Sequence, residues 1–245
     1  MRISPRSTSS SRRSKSSGSR LLAGARRPFV LLLILAASTN PAAGTGTTAA
    51  PTLDEAVRRL EATYRGITDL KADFDQSAVN RMLNQTTEAR GTLYLKKPGK
   101  LRWEYTTPSL LEIVSDGRKL WIYTPELKQV NVSAAPEALA GPAGSFLQGL
   151  GEVREQFRVR FLNPVQPLDG DGLVVLDLTP NAPGPMLARL VLSLDPRTWL
   201  VRKAVVYDEL GNTVRIRFRD VAVNPGLADT LFAFTPPPGA AVIQQ

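Results

Sequence analysis

The chain of 245 residues has no cysteine and no histidine. Without cysteine there is no disulfide framework, no thiolate metal site and no lipid acceptor behind a leader. Burial alone must hold the fold, and the chain is not itself a lipoprotein. Without histidine the commonest general base and metal ligand is gone, so catalysis would fall to carboxylates, serine or lysine. No GxxxxGK phosphate cradle, Cys/His metal set or EF-hand loop is present. Aromatic residues are 7% of the chain, too few and too scattered among bases to make a nucleic-acid face. No apolar run approaches the roughly 20 residues that span a bilayer. The expectation is a protein with no catalytic residues, no metal and no cofactor.

An excess of acid is also lacking, and the formal charge is +9. Eight of the 31 basic residues (Arg2, Arg6, Arg12, Arg13, Lys15, Arg20, Arg26 and Arg27) precede the first acidic one, which leaves 23 basic against 22 acidic. The remainder is near neutral, which removes the charge-based case for a nucleic-acid partner. The basic head leads into the short apolar run PFVLLLILAAS at 28–38. A positive region, a short apolar core and small residues behind it read as a secretory signal, with a retained anchor the weaker reading. Cleavage is expected near Ser38 or a little later, within NPAAGTGTTAAP. Arg26-Arg27-Pro28-Phe29-Val30 partly resembles a twin-arginine signal but lacks the usual Ser and Lys, and both export routes stay open. Residues 1–38 are thus leader and signal peptide, 39–51 an Ala/Thr/Gly/Pro linker, and 52–245 the folded domain.

Thr52-x-x-Glu55 is a capping box. Leu53, Val57, Leu60 and Tyr64 behind it recur at helical spacing, opposite Arg58, Arg59 and Glu61, with a stop at Gly66. From Leu70 the period is two: Leu70, Ala72 and Phe74 alternate with Lys71, Asp73 and Asp75. That alternation assigns the two aspartates to a solvated face rather than to a catalytic pair. A polar turn at Asn80–Thr86 returns the chain to a strand at Ala89–Leu95.

The stretch GTLYLKKPGKLRWEYTTPSLLEIVSDGRKLWIYTP, Gly91 to Pro125, reads as four strands with turns at Pro98-Gly99 and Asp116-Gly117. A two-residue loop at the first turn would set Leu95 against Arg102. A three-residue loop, Pro98 to Lys100, pairs Lys97 with Leu101, Leu95 with Trp103 and Leu93 with Tyr105, and keeps one face apolar. The second turn, as a two-residue loop, pairs Ser115 with Arg118, Ile113 with Leu120 and Leu111 with Ile122. Trp121 and Tyr123 then lie on the opposite face, so the hairpins are expected to be covered on both sides. The apolar face holds more side chains than one closed core needs, suggesting either a lipid-burying wall or plain core.

A strand is expected at Leu127–Val132. Ala134–Gly151 is rich in Ala and Gly, with short helices possible from Pro136 and Ser145; a movable lid and a structural loop remain equal readings. Strands resume at Phe157–Leu162, Leu173–Thr179, Leu187–Leu194, Leu200–Tyr207 and Thr213–Ala222. In the last, Arg215, Arg217 and Arg219 alternate with apolar residues, as on a solvated face. Ala228–Phe234 forms a last short piece, and PPPGAAVIQQ after it is too Pro-rich for a central strand. The total is about eleven mostly antiparallel strands in a barrel or strongly bent sheet.

Four ordered motifs resemble the LolA family of periplasmic outer-membrane lipoprotein carriers: FxQ at Phe74–Gln76, LxLKKPGKLRWEYTxP at Leu93–Pro108, IVSDGxxLWIYxP at Ile113–Pro125 and FxFTPPxG at Phe232–Gly239. The resemblance spans roughly Leu53–Val242. It implies a mainly β fold, an incomplete, unclosed antiparallel β-barrel with an N-terminal helix and short lid helices. It implies a periplasmic monomer that takes acylated lipoproteins from an inner-membrane lipoprotein-releasing ABC transporter. Such a carrier shields the acyl chains in a hollow and passes them to an outer-membrane lipoprotein receptor. That receptor has a similar fold but is itself a lipoprotein, so a chain without cysteine is not the receptor. By resemblance the cavity side is Leu93, Leu95, Leu101, Trp103, Tyr105, Leu111, Ile113, Leu120 and Ile122. The family's arginine that bonds to the lid helices is matched by Lys97. Lysine keeps the charge but not the planar fork of donors, so this lid latch is expected to hold less firmly. The alternatives are a LolA-like carrier of another lipid and an adaptor that senses lipid or lipoprotein.

Overall fold

Thr52 caps the first helix as the sequence predicts, its hydroxyl accepting from the Glu55 N–H at 3.2 Å. The computed structural model describes residues 50–135, 152–182, 184 and 186–244. The signal segment and the expected lid helices after Pro136 lie outside the described residues. Helix α1 (Leu53–Arg65) buries Ala56, Val57, Leu60 and Tyr64 on one face and ends at Gly66. Burying side chains such as Val57 and Leu60 contributes roughly 1.5–3 kcal/mol each. A four-residue helix, α2 (Val153–Gln156), leads into the second half of the sheet.

Among the described residues, twelve strands form one sheet. They are β1 (Asp69–Asn80), β2 (Gln85–Lys96), β3 (Lys100–Thr107), β4 (Leu111–Asp116), β5 (Lys119–Thr124) and β6 (Gln129–Ala134) in the first half. Then follow β7 (Phe157–Phe161), β8 (Val174–Pro180), β9 (Arg189–Leu194), β10 (Val201–Tyr207), β11 (Thr213–Val223) and β12 (Ala241–Gln244). Their order is β12-β6-β5-β4-β3-β2-β1-β11-β10-β9-β8-β7. The end strands β12 and β7 do not pair among the described residues, so the barrel is incomplete. Helix α1 shares one apolar cluster with Leu101 and Leu120 from one half and Leu176 and Leu192 from the other. The sheet therefore bends around the helix.

All eleven expected strands form, and one more joins them. Ala228–Phe234 holds a 3-10 turn at Asp229–Phe232, whereas β12 lies in the stretch expected to carry no central strand. β12 pairs with β6, and in parallel. Its place at the edge explains how it follows a proline run: an edge strand bonds on one side only.

Both predicted hairpin registers are displaced by two residues. The structure pairs Leu95 with Leu101 and Leu93 with Trp103, then Ile113 with Ile122 and Ser115 with Leu120. The first loop does hold three residues, but they are Lys97-Pro98-Gly99, with Gly99 at φ +65°. Lys97 leaves the ladder because its N–H donates to the Thr68 carbonyl at 2.8 Å. The second loop is Gly117-Arg118. Asp116 ends the strand instead of entering the turn, since its Oδ1 accepts from the N–H groups of Arg118 and Lys119, both at 2.7 Å. A shift of two preserves side-chain parity, so the predicted faces survive the change in partners.

The outer face of the hairpins is covered, as Trp121 and Tyr123 imply. The C-terminal segment crosses it as a strap. Asn224 and Asp69 fasten the strap's start: Asp69 Oδ1 accepts from Gly226 N–H at 2.9 Å and Leu227 N–H at 3.3 Å. Lys96 and Lys100 face each other directly across β2 and β3, a repulsive pairing. Asp229 sits between them at 2.6 and 2.9 Å. Farther along, Phe234 packs on Trp121 and Tyr123, both at 5.9 Å between ring centroids. Val114, Val130 and Phe232 are fully buried.

The Lys96 hydrogen bond, then the Lys100 one, pulls the Asp229 carboxyl down to about 2. A depressed carboxylate stabilises the fold above its unfolded value of about 3.9 and loses that contribution as pH falls through the folded one. Strap attachment is therefore expected to be constant from pH 8 to about 4 and to weaken from there towards about 2. Asp229→Asn should abolish that acid dependence, measured as Trp121 fluorescence against pH. An unaltered acid limb in the variant would contradict this.

The remaining outer face is charged. Arg215, Arg217 and Arg219 are exposed. Asp75 pairs with Arg219 at 2.7 Å and Arg90 at 3.1 Å, and Asp73 accepts from the Thr92 hydroxyl at 2.9 Å. The two aspartates thus serve separate surface partners.

Candidate functional site

The nine predicted wall residues all lie on the inner face, arranged in rows across the strands. One row runs Leu70, Leu95, Leu101, Ser115, Leu120. The next runs Ala72, Leu93, Trp103, Ile113, Ile122, and the third Phe74, Gly91, Tyr105, Leu111. Burial is graded along them. Leu93, Leu101, Trp103 and Leu120 belong to the closed core. Leu95, Tyr105, Leu111, Ile113 and Ile122 are only half-buried, and all of these but Leu111 pack against that core. In the middle row the wall is closed at Leu93 and Trp103 and opens towards Ile113 and Ile122.

Three aromatic rings stiffen its middle. Trp103 and Tyr105 stack at 6.2 Å with planes 9° apart. Phe74 meets both edge-on, at 5.3 and 5.1 Å, a favourable quadrupole arrangement. The Tyr105 hydroxyl donates to Gln76 Oε1 at 3.1 Å, and burial raises the Tyr105 phenol above its usual range. The sequence does not assign Gln76 this part, although it stands in the quoted FxQ motif.

Ser115, too, is marked by the sequence only as a turn neighbour. It is fully buried between Leu101 and Leu120. Its hydroxyl donates to the Gly99 carbonyl at 2.9 Å and accepts from the Gly117 N–H at 3.1 Å. One satisfied hydroxyl thereby joins the two hairpin turns. Beyond Ile122 the inner face turns polar, because Asn131 is its partner on β6 and Gln129 Nε2 donates to Asn131 at 3.1 Å.

Among the described residues Lys97 reaches the end of α1; the lid helices that the resemblance implies as its partners lie outside them. Its Nζ donates to the Tyr64 carbonyl at 2.5 Å, in the last turn of α1, where a cation also meets the negative helix end. Removal from water on this side lowers the ammonium's affinity for its proton. Tyr64 is held at its other end too, its hydroxyl accepting from the Val201 N–H at 3.1 Å, and burial pushes the phenol up to about 12. Arg59 lies 5.6 Å over the Trp199 ring. Lys97 thus ties the first hairpin to a helix that the opposite half of the sheet already grips. Lys97→Leu is expected to leave the domain folded and lower its stability by about 1 kcal/mol, read from urea unfolding.

A cleft of about 230 Å³ lies between α1, α2 and β7, lined by Leu53, Asp54, Val57, Arg154, Phe157 and Val159. Arg154 pairs with Asp54 there at 3.0 Å. It is smaller than most ligand pockets and contains none of the nine wall residues. Among the described residues there is no group of three acidic, cysteine or histidine side chains able to hold a metal. No helix among them is long and apolar enough to cross a membrane.

The family model of the outer membrane lipoprotein carrier protein LolA matches residues 65–235. The chain belongs to the LolA family. An outer-membrane lipoprotein carrier protein of Chromobacterium violaceum is 33% identical over 195 residues, covering 80% of this chain and 90% of its own. One of Dechloromonas aromatica is 32% identical over 188 residues, covering 77% and 87%. An uncharacterized conserved protein from Thermus thermophilus shares the fold, with a TM-score of 0.50 and 16% identity over 78% of this chain and 98% of that one. The LolA match covers all nine wall residues and Lys97, and its description is that of a carrier rather than a catalyst.

Proposed function

We propose that the chain is a periplasmic carrier that accepts acylated lipoproteins, shelters their acyl chains against the inner wall and delivers them towards the outer membrane. The observation that carries this reading is the graded wall. Leu95, Ile113 and Ile122 continue the apolar rows of the core yet stay half-buried. A continuous half-covered apolar face is the kind of surface that takes a greasy ligand. Each methylene moved from water to that face contributes about 0.8 kcal/mol, so an acyl chain has ample driving force. The family of the chain and the names of its relatives agree with the same cargo.

The donor is proposed to be an inner-membrane lipoprotein-releasing ABC transporter and the acceptor an outer-membrane lipoprotein receptor. Release requires that cargo burial be offset by contacts regained in the empty protein. Lys97 is one such contact, so Lys97→Leu should also alter cargo transfer; unchanged transfer would leave it a hairpin staple. The deciding experiment is reconstitution. The folded domain should co-purify with acylated lipoprotein and release it from inner-membrane spheroplasts that contain the cognate transporter. Absence of both activities would overturn the reading.

A further inference from the structure

Among the described residues, two buried indole N–H groups have no hydrogen-bond partner, those of Trp103 and Trp199. Buried polar groups are nearly always paired, so each calls for a reason. Trp199 lies in the turn before β10, beneath Arg59. Trp103 lies in the wall itself, and its surroundings make the contrast sharp. The Tyr105 hydroxyl beside it is bonded to Gln76, and the Ser115 hydroxyl is bonded on both sides. Among the described residues, the wall thus holds one donor without an acceptor beside side chains that are apolar or satisfied.

We propose that the Trp103 N–H reads the head of the acyl chain, donating to the ester or amide carbonyl that links it to its carrier molecule. This rests on the lipoprotein-carrier reading and specifies the ligand chemistry of the same wall. Indole is a donor only; a carbonyl can accept from it, and a methylene cannot. In the low-dielectric wall such a bond is stronger than in water, and leaving the donor unmade is correspondingly costly. The ring's direction is fixed by the Tyr105 stack and the Phe74 edge contact. Next along the same row, Ile113 and Ile122 are half-buried and offer a track for the methylenes that follow the carbonyl. The N–H is closed to solvent, so a carbonyl that reached it would meet a donor with no water to compete for it.

The test compares a diacylglycerol with the ether-linked dialkylglycerol of equal chain length, which has the same tails but no carbonyl. Wild-type protein should bind the ester about tenfold more tightly, the size expected of one hydrogen bond to a desolvated donor. Trp103→Phe, which keeps the stacking ring and removes the N–H, should bind both with the weaker affinity. In the wild-type nitrogen–proton spectrum, the Trp103 indole signal, assigned by its proximity to Tyr105, should move downfield with the ester and not downfield with the ether. Equal wild-type affinity for the two lipids overturns this inference and leaves the carrier reading standing. Binding of neither overturns both. A preference that persists in Trp103→Phe also overturns the inference. If that variant does not fold, an indole signal that responds alike to ester and ether decides against it.

Discussion

Gly91→Ala is expected to lower the unfolding free energy by about 3 kcal/mol, at the upper end of the usual cost of overpacking. A methyl group at this position would stand 1.8 Å from the Glu104 carbonyl oxygen and 2.8 Å from Cε1 of Phe74. The first obstacle is backbone of β3, so relief requires opening the strand pair opposite Tyr105. The second is a fully buried ring already wedged against Trp103 and Tyr105. Neither can swing aside as an exposed side chain would. Urea unfolding should show a lower midpoint with an unchanged slope. Gly170, where an added methyl would meet nothing within 4 Å, is the control: Gly170→Ala should stay within about 0.5 kcal/mol of wild type. A similarly small change at Gly91 would show that β2 and β3 separate more easily than their pairing suggests.

Ile122→Glu is expected to weaken binding of an uncharged fluorescent acyl ester about 50-fold. A carboxylate in the middle row denies the chain roughly three methylene contacts, at about 0.8 kcal/mol each, and every 1.4 kcal/mol is tenfold in affinity. Stability should fall much less, by about 1 kcal/mol, because Ile122 is half-buried and its new charge can reach water. Separation of the two effects is the informative outcome. Val242→Glu on the exposed edge strand β12 should alter neither. Binding unchanged in Ile122→Glu would make these rows an ordinary core face and remove the wall from the carrier mechanism.

The faces of the central hairpins were legible because alternation reports parity. Leu93, Leu95, Leu101 and Trp103 could share a side under only one parity of pairing, and the structure has that parity. Absolute register was not legible, because both candidate registers satisfy the same alternation. It is decided by groups whose partners lie elsewhere in the chain. Lys97 is drawn out of the ladder by Thr68, and the Asp116 carboxylate bonds forward into its own turn. The local signal Asp-Gly marked the turn but not which residues fill its loop.

Trp121 and Tyr123 announced that the outer face is covered without saying by what. Phe234, which covers them, is far away in sequence, and no periodicity links distant segments. The proline run argues against a strand in the sheet interior, and β12 duly lies at the edge, but nothing local says that an edge strand forms there or that it pairs with β6. The graded burial of the wall was likewise invisible. Ile113 and Leu120 are equally apolar in sequence, and only the position of α1 and the turns makes one half-open and the other closed.

The strap bears on the order in which the molecule can be completed. Hairpins made early in synthesis lean on Phe232 and Phe234, and β6 waits for Val242 and Ile243 to pair with it. Such distant pairing is slow because the intervening chain must first be ordered. A chain emerging N-terminus first therefore carries its hydrophobic hairpins unbacked until Phe232, Phe234 and β12 are free to pack. A premature stop before Asn224 would yield not a shortened carrier but a sticky sheet, with Val114 and Val130 turned to water.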